Sequence, residues 1–241
     1  MTTALLIILP VSAGAAYYSL MGWPSSWRTA NWQSTGTLPA VPLQDARVRL
    51  YAANTGRWKS IFAEHSWLAV KRAGEANWTR YEVVGWGPPV RRNAYAADAR
   101  WYSNPPKLYY EISGQLAAQA IPKIEQAIAD YQFSSRGSYV IWPGPNSNTF
   151  VAAVVRAVPE LATEMPPRAL GKDYVGAGLQ LSPTPSKTGW QISYGGIVGA
   201  ALAVDEGVEL HLLGATIGID PLDLALKLPS LGRLSLTDLW S

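Results

Sequence analysis

A histidine, a carboxylate and a serine stand in this chain where their types could combine into acyl-transfer chemistry. His65 opens the segment His65-Ser-Trp-Leu-Ala-Val-Lys71, which reads as a strand. Arg72 to Asn77 is a turn, and Trp78 to Trp86 returns as the next strand. A hairpin centred between Ala73 and Gly74 sets Glu82 across from His65. A carboxylate beside an imidazole fixes its tautomer and supports its use as a base. Asn77 is a second candidate for that orienting role. A register slip of one residue moves Glu82 to the other face. A histidine that opens a strand also has a purely structural reading.

The serine lies in Trp142-Pro-Gly-Pro-Asn-Ser-Asn-Thr-Phe150. Two prolines and a glycine impose a rigid, non-helical approach. Asn146 or Ser147 then caps a helix running through Phe150-Val-Ala-Ala-Val-Val-Arg156. Ser147 therefore sits at a helix N-terminus, where free N–H groups and the dipole favour negative charge. With a base in reach it is a candidate nucleophile. The backbone N–H groups of Asn148 and Thr149 are candidate oxyanion donors, and Asn146 a candidate orienting side chain. The competing reading makes Ser147 a helix cap and nothing more.

The elements that must position these groups are β-rich. Val48 to Ala52 alternates as a strand, Trp58 to Ala63 is strand-like, and the two hairpin strands follow, a meander in all. After a loop at Arg100 to Pro106, Ser113 or Gly114 caps a helix with Leu116, Ala120, Ile124 and Ile128 on one face. Pro122 implies a kink there, or a start near Ile121. Tyr139 to Trp142 reads as a short strand leading into the serine motif. Gly189 to Tyr194, Ile197 to Val204 and Val208 to Leu213 read as strands of a Gly-rich tail. The expected organisation is an N-terminal segment at 1–22, a tether at 23–46 and one α+β domain at 47–241. Within that domain, 47–170 forms a core of antiparallel sheet with packed helices, and 171–241 a Gly-rich β extension.

Composition narrows the partners. Charged residues make up 15% of the 241, against roughly 25% in ordinary soluble domains. That deficit points to a membrane-attached chain or one buried in an assembly. A net charge of +3 with no Lys/Arg block argues against nucleic acid. The absence of cysteine excludes disulfides, thiolate catalysis and Cys-ligated metal, and two histidines, His65 and His211, leave little for a His-based metal site. No cofactor is expected. Gly171-Lys-Asp-Tyr174 lacks P-loop spacing, so Lys172 and Asp173 read as a surface pair. Nine of the eleven tryptophans precede residue 143, an aromatic surface suited to a membrane-complex protein partner.

No charge precedes Arg28. The first 22 residues therefore read as one transmembrane helix contacting lipid through residues 3–22, with Tyr17, Tyr18, Trp23 and Trp27 at the interface. A cleaved signal peptide is the alternative, because Ser12-Ala-Gly-Ala-Ala16 offers small residues to a peptidase. Five basic residues against one acid between Arg28 and Lys59 favour a cytoplasmic flank.

His65-Ser-Trp67, Arg80 to Gly87, the Trp142 to Phe150 motif, Gly171 to Tyr174, and Leu226 to Pro229 with Gly232-Arg233 resemble a bacterial family known only as domain of unknown function 3750. A more distant resemblance is to permuted papain-like proteins of the NlpC/P60 and lecithin-retinol acyltransferase type. In those a strand histidine precedes an Asn-Cys-x-x-Phe motif at a helix N-terminus. His65 matches the first and Asn146-Ser-Asn-Thr-Phe150 the second, with Ser147 in the place of the cysteine. That resemblance implies a permuted papain-like fold and a hydrolase or acyltransferase acting on amides or esters of envelope components. With the N-terminal helix as anchor in the bacterial inner membrane, that resemblance implies a domain on the periplasmic side. The replaced sulfur keeps a second expectation in play, a non-catalytic accessory subunit of a membrane protein complex.

Overall fold

The computed structural model describes residues 2–236, with side chains from residue 5. Met1 and residues 237–241, at the outer ends of the expected segments, lie outside the described residues. Helix α1 (Thr2–Met21) leads into irregular chain, and the first sheet begins at β1 (Arg47–Asn54). It continues with β2 (Glu64–Lys71), β3 (Thr79–Val83), β4 (Val90–Arg92) and β5 (Lys107–Ser113). All pairings are antiparallel, and the order is β4-β3-β2-β1-β5. The class is α+β, as composition and patterning led one to expect.

Both faces of this sheet are covered, which explains the near-continuous apolar run of β2. On one face Val48, Leu50, Leu68, Val70 and Val83 pack against helices α2 (Gly114–Ala129) and α3 (Ser147–Ala157). On the other, Tyr51, Ala53, Trp67 and Ala69 are roofed by Ala97 and Trp101 from the loop after β4. Helix α2 buries Ala117, Ala120, Ile121 and Ile124, a stripe rotated from the expected one, so Leu116 is exposed. Pro122 lies on its solvent side and the helix continues through it. Two expected strands are absent. Arg57–Ile61 is a 3-10 turn, and 139–142 is irregular chain. The strand β5 had no alternating signal, since its buried residue is Ile112 alone.

A second sheet follows α3: β6 (Leu179–Pro183), β7 (Gly189–Tyr194), β8 (Val198–Ala203), β9 (Gly207–Leu212), β10 (Ala215–Asp220), β11 (Ala225–Leu228) and β12 (Gly232–Ser235). It is a pure antiparallel meander, each strand beside its sequence neighbour. Its polar residues are the buried ones: Gln191, Ser193, Glu209, His211, Thr216 and Lys227. Lys172 and Asp173, expected as a surface pair, are buried against this face. Lys172 Nζ reaches a Glu209 carboxylate oxygen at 2.8 Å, and the Ser193 hydroxyl donates to Asp173 at 2.9 Å. Arg156 of α3 donates to Gln191 at 3.0 Å. A cluster of buried polar pairs thus joins the second sheet to α3 and the loop that follows it.

The membrane expectation is corrected here. Among the described residues no helix is long and apolar enough to cross a membrane. The chain's N-terminal helix is interrupted in composition by Ser12, Gly14 and Pro10, and one of its sides lies on the domain. Pro10 and Gly14 are buried, Asn54 donates to Tyr18 Oη at 3.1 Å, and Gly14 meets Ser230 so closely that a Cβ would collide with its hydroxyl. The expected single-pass anchor over 1–22, its lipid contact through 3–22 and the inner-membrane, periplasmic location built on them are therefore withdrawn.

Candidate functional site

A cavity of about 660 Å³ opens at the N-terminal end of β2. Ile7 and Val11 of α1, Phe62, Trp86, Trp101 and Leu213 make its walls apolar, and its polar lining includes His65, Asn146, Ser147 and Asn148 together with Lys59 and Glu64.

His65 is placed by strand register. Leu68 pairs with Tyr81 and Ala69 with Arg80, so continuing the ladder puts Glu82 across from Trp67, not His65. The offset from the expected register is two residues, an even number, and the side-chain period of two keeps Glu82 on the histidine's face. The diagonal pair closes with His65 Nε2 at 2.8 Å from Glu82 Oε2. Arg80 donates to the same oxygen at 2.6 Å, and its guanidinium lies 3.9 Å from the centre of the Trp67 ring. The imidazole stacks on Trp101 with centroids 3.7 Å apart and planes 7° apart.

These contacts set the charge states. Burial alone acts to raise the Glu82 carboxyl, but the Arg80 guanidinium and the His65 contact outweigh it and hold it below the ordinary carboxylate range. Burial pushes His65 below its ordinary value, and the pull of Glu82 towards protonation does not reverse this. A neutral imidazole beside an ionised carboxylate donates through Nε2–H, which leaves the Nδ1 lone pair as the acceptor. Among the described residues Nδ1 has no hydrogen-bond partner. Sequence reasoning missed Arg80 and Trp101. The Arg80–Glu82 spacing of two on a strand was a usable signal; nothing marked Trp101 out among eleven tryptophans.

Ser147 is the first residue of α3, and its neighbours leave it unengaged. Asn146 is the cap: its Oδ1 accepts from the N–H groups of Asn148 at 2.9 Å and Thr149 at 3.1 Å. Thr149 Oγ1 in turn accepts from the Asn146 N–H at 3.2 Å, completing a reciprocal cap. Asn146 Nδ2 donates to the Ile141 and Leu170 carbonyls at 3.2 and 3.0 Å. The two N–H groups expected as oxyanion donors are therefore spent on the cap. The Ser147 N–H and Oγ have no hydrogen-bond partner among the described residues. The reading of Ser147 as cap is thereby corrected, since Asn146 does that work.

Asn148 staples the helix to the sheet. Its Nδ2 donates to the Glu64 and Leu170 carbonyls, each at 2.9 Å, and its Oδ1 accepts from the Ser66 hydroxyl. Ser66, not His65, is the strand residue facing α3, so His65 and Ser147 reach the cavity from opposite sides of the end of β2. No hydrogen bond joins them. Asn77 is not brought here; it is exposed in the β2–β3 turn, at the far end of the hairpin. His211 lies buried in the second sheet, with Nδ1 3.2 Å from Thr216 Oγ1. Among the described residues no cluster of His, Asp and Glu could hold a metal ion.

No curated protein and no solved structure matches the chain. A family model does match, over residues 45–174, just over half of the chain. That span contains β1 to α3 and the loop that buries Lys172 and Asp173, and hence His65, Arg80, Glu82 and Ser147. This protein belongs to the family described as protein of unknown function, DUF3750.

Proposed function

We propose that the cavity is the active site of a serine hydrolase or acyltransferase of permuted papain-like design, acting on an amide or ester with an apolar acyl group. The carrying observation is that an unbonded serine hydroxyl at a helix N-terminus and a histidine kept neutral by burial, and oriented by the Arg80–Glu82 pair, border one apolar cavity. In this reading Ser147 Oγ attacks the carbonyl carbon while its proton passes to His65 Nδ1. Glu82 stabilises the imidazolium, and the Ser147 N–H, at the positive end of α3, takes the oxyanion. Collapse expels the alcohol or amine, which receives the proton from His65. Water or an acceptor alcohol then releases the acyl group. Substrate must draw Oγ and Nδ1 together, because they are not bonded in the resting cavity; catalytic contacts commonly tighten this way.

A fluorophosphonate reporter tests it. Ser147 should become labelled, and both Ser147→Ala and His65→Gln should abolish labelling without altering the circular dichroism spectrum. Unlabelled, well-folded wild type would support the alternative, a non-catalytic accessory subunit.

A further inference from the structure

The second sheet is inside out, and we infer that its outer face is the self-association surface of this protein. In this sheet, buried positions carry charges and outward ones are apolar. One cross-strand row shows it: Trp190, Leu202, Val208, Ile219, Leu226 and Leu234 are successive partners across β7 to β12. Each is exposed, from 42% for Val208 to 69% for Leu202. The parallel row Leu181, Ile192, Ala200 and Leu210 is likewise apolar. No Asp, Glu, Lys or Arg projects from the outward positions of these strands.

Size and charge name the occupant. Seven strands about 4.8 Å apart and four to six residues long give a face of roughly 30 by 17 Å, about 500 Å². Two such faces together bury about 1,000 Å², the lower bound for a specific dimer. A contiguous apolar patch of this size is at the upper end of what a lone monomer exposes, and such patches are commonly functional. An uncharged apolar sheet face is complementary to itself, and two copies related by a twofold axis would pack as a sandwich. An anionic bilayer is the poorer match. Lys187, Lys227 and Arg233 are the basic residues of 179–236, and all three are held by the protein's own carbonyls and carboxylates. The exposed carboxylate at the rim, Asp223, is itself paired with Arg233. The surface thus offers no cation to a headgroup.

Light scattering on the full chain is the test. A dimer is expected at micromolar concentration, and Leu202→Glu with Leu210→Glu should convert it to a monomer with an unchanged circular dichroism spectrum. Should that variant fail to fold, the cysteine-free chain allows a milder one, Leu210→Cys on the central strand. Its maleimide labelling should slow at least tenfold between nanomolar and micromolar protein. A monomeric wild type, labelling independent of concentration, or flotation as a monomer with phosphatidylglycerol vesicles would each overturn the proposal.

Discussion

At the scale of single residues, the ion chain Arg80–Glu82–His65 dominates. Arg80 and Glu82 are fully buried, so removing one leaves the other as an uncompensated charge. Glu82→Gln should cost about 3–5 kcal/mol, measured by urea unfolding, because it strands Arg80. It should also abolish the proposed serine reactivity, because it frees the His65 tautomer. Protonation of His65 gives a pH signature. Its folded value is depressed, so the unfolded chain binds more protons in the window from the folded value up to about 6.5. Stability attributable to His65 should be complete above pH 6.5 and fall as pH drops through that window. The His65→Gln variant should lose this dependence, though His211, also depressed by burial, retains a similar one. Fluorophosphonate labelling should rise with pH along a curve whose midpoint lies below that of free histidine.

At the scale of elements, helix α3 is positioned by its cap residue, Asn146, and by Asn148 in its first turn. Asn146 satisfies two helix N–H groups and two loop carbonyls, while Asn148 ties the helix to both ends of the site. Asn146→Ala should lower stability by about 1–2 kcal/mol from the lost cap, with the two carbonyl contacts adding to it. Gly171 packs against the same asparagine. Its φ of +86° is in the left-handed region, and a Cβ there would lie 2.7 Å from Asn146 Nδ2 and 2.9 Å from the Pro143 carbonyl. Gly171→Ala should therefore destabilise too, and it should reduce labelling of Ser147 at temperatures where the protein remains folded, since the cap must shift. Differential scanning fluorimetry beside the labelling assay separates the two effects.

For the whole molecule, the joint between the sheets depends on Glu209. Burial acts to raise its carboxyl, but Lys172, Lys227 and His211 overcome this and bring it to about 2. Its stabilisation is complete above the unfolded carboxylate value and is lost as pH falls towards 2. Glu209→Gln should leave Lys172 without its carboxylate and Lys227 with Glu164 alone, both in a buried interface. The expected cost is about 3–5 kcal/mol, accompanied by faster amide exchange across 179–235 than in the first sheet. Uniform acceleration over both sheets would show that the joint is no separate unit.

The residues of the candidate site were legible in the chain because their signals are local. A proline-glycine lead-in with an Asn-x-x-Thr cap announces a helix start, and a turn between alternating segments announces a hairpin. Even a two-residue register error left Glu82 on the histidine's side, because strand side chains repeat every two residues. The α+β class and several of the tail strands were readable for the same reason. What the tertiary structure decided depends on partners distant in sequence. Lys172 and Asp173 looked like a surface pair until the second sheet covered them. The apolar N-terminal stretch looked like a membrane span until its Pro10–Gly14 side was found on the domain, short of what a crossing needs. Above all, the alternation of the tail shows which residues share a face but not which face is buried. Only Arg156 of α3 and Glu164, Lys172 and Asp173 in the segment after it turned the polar side inward and left the apolar side outside.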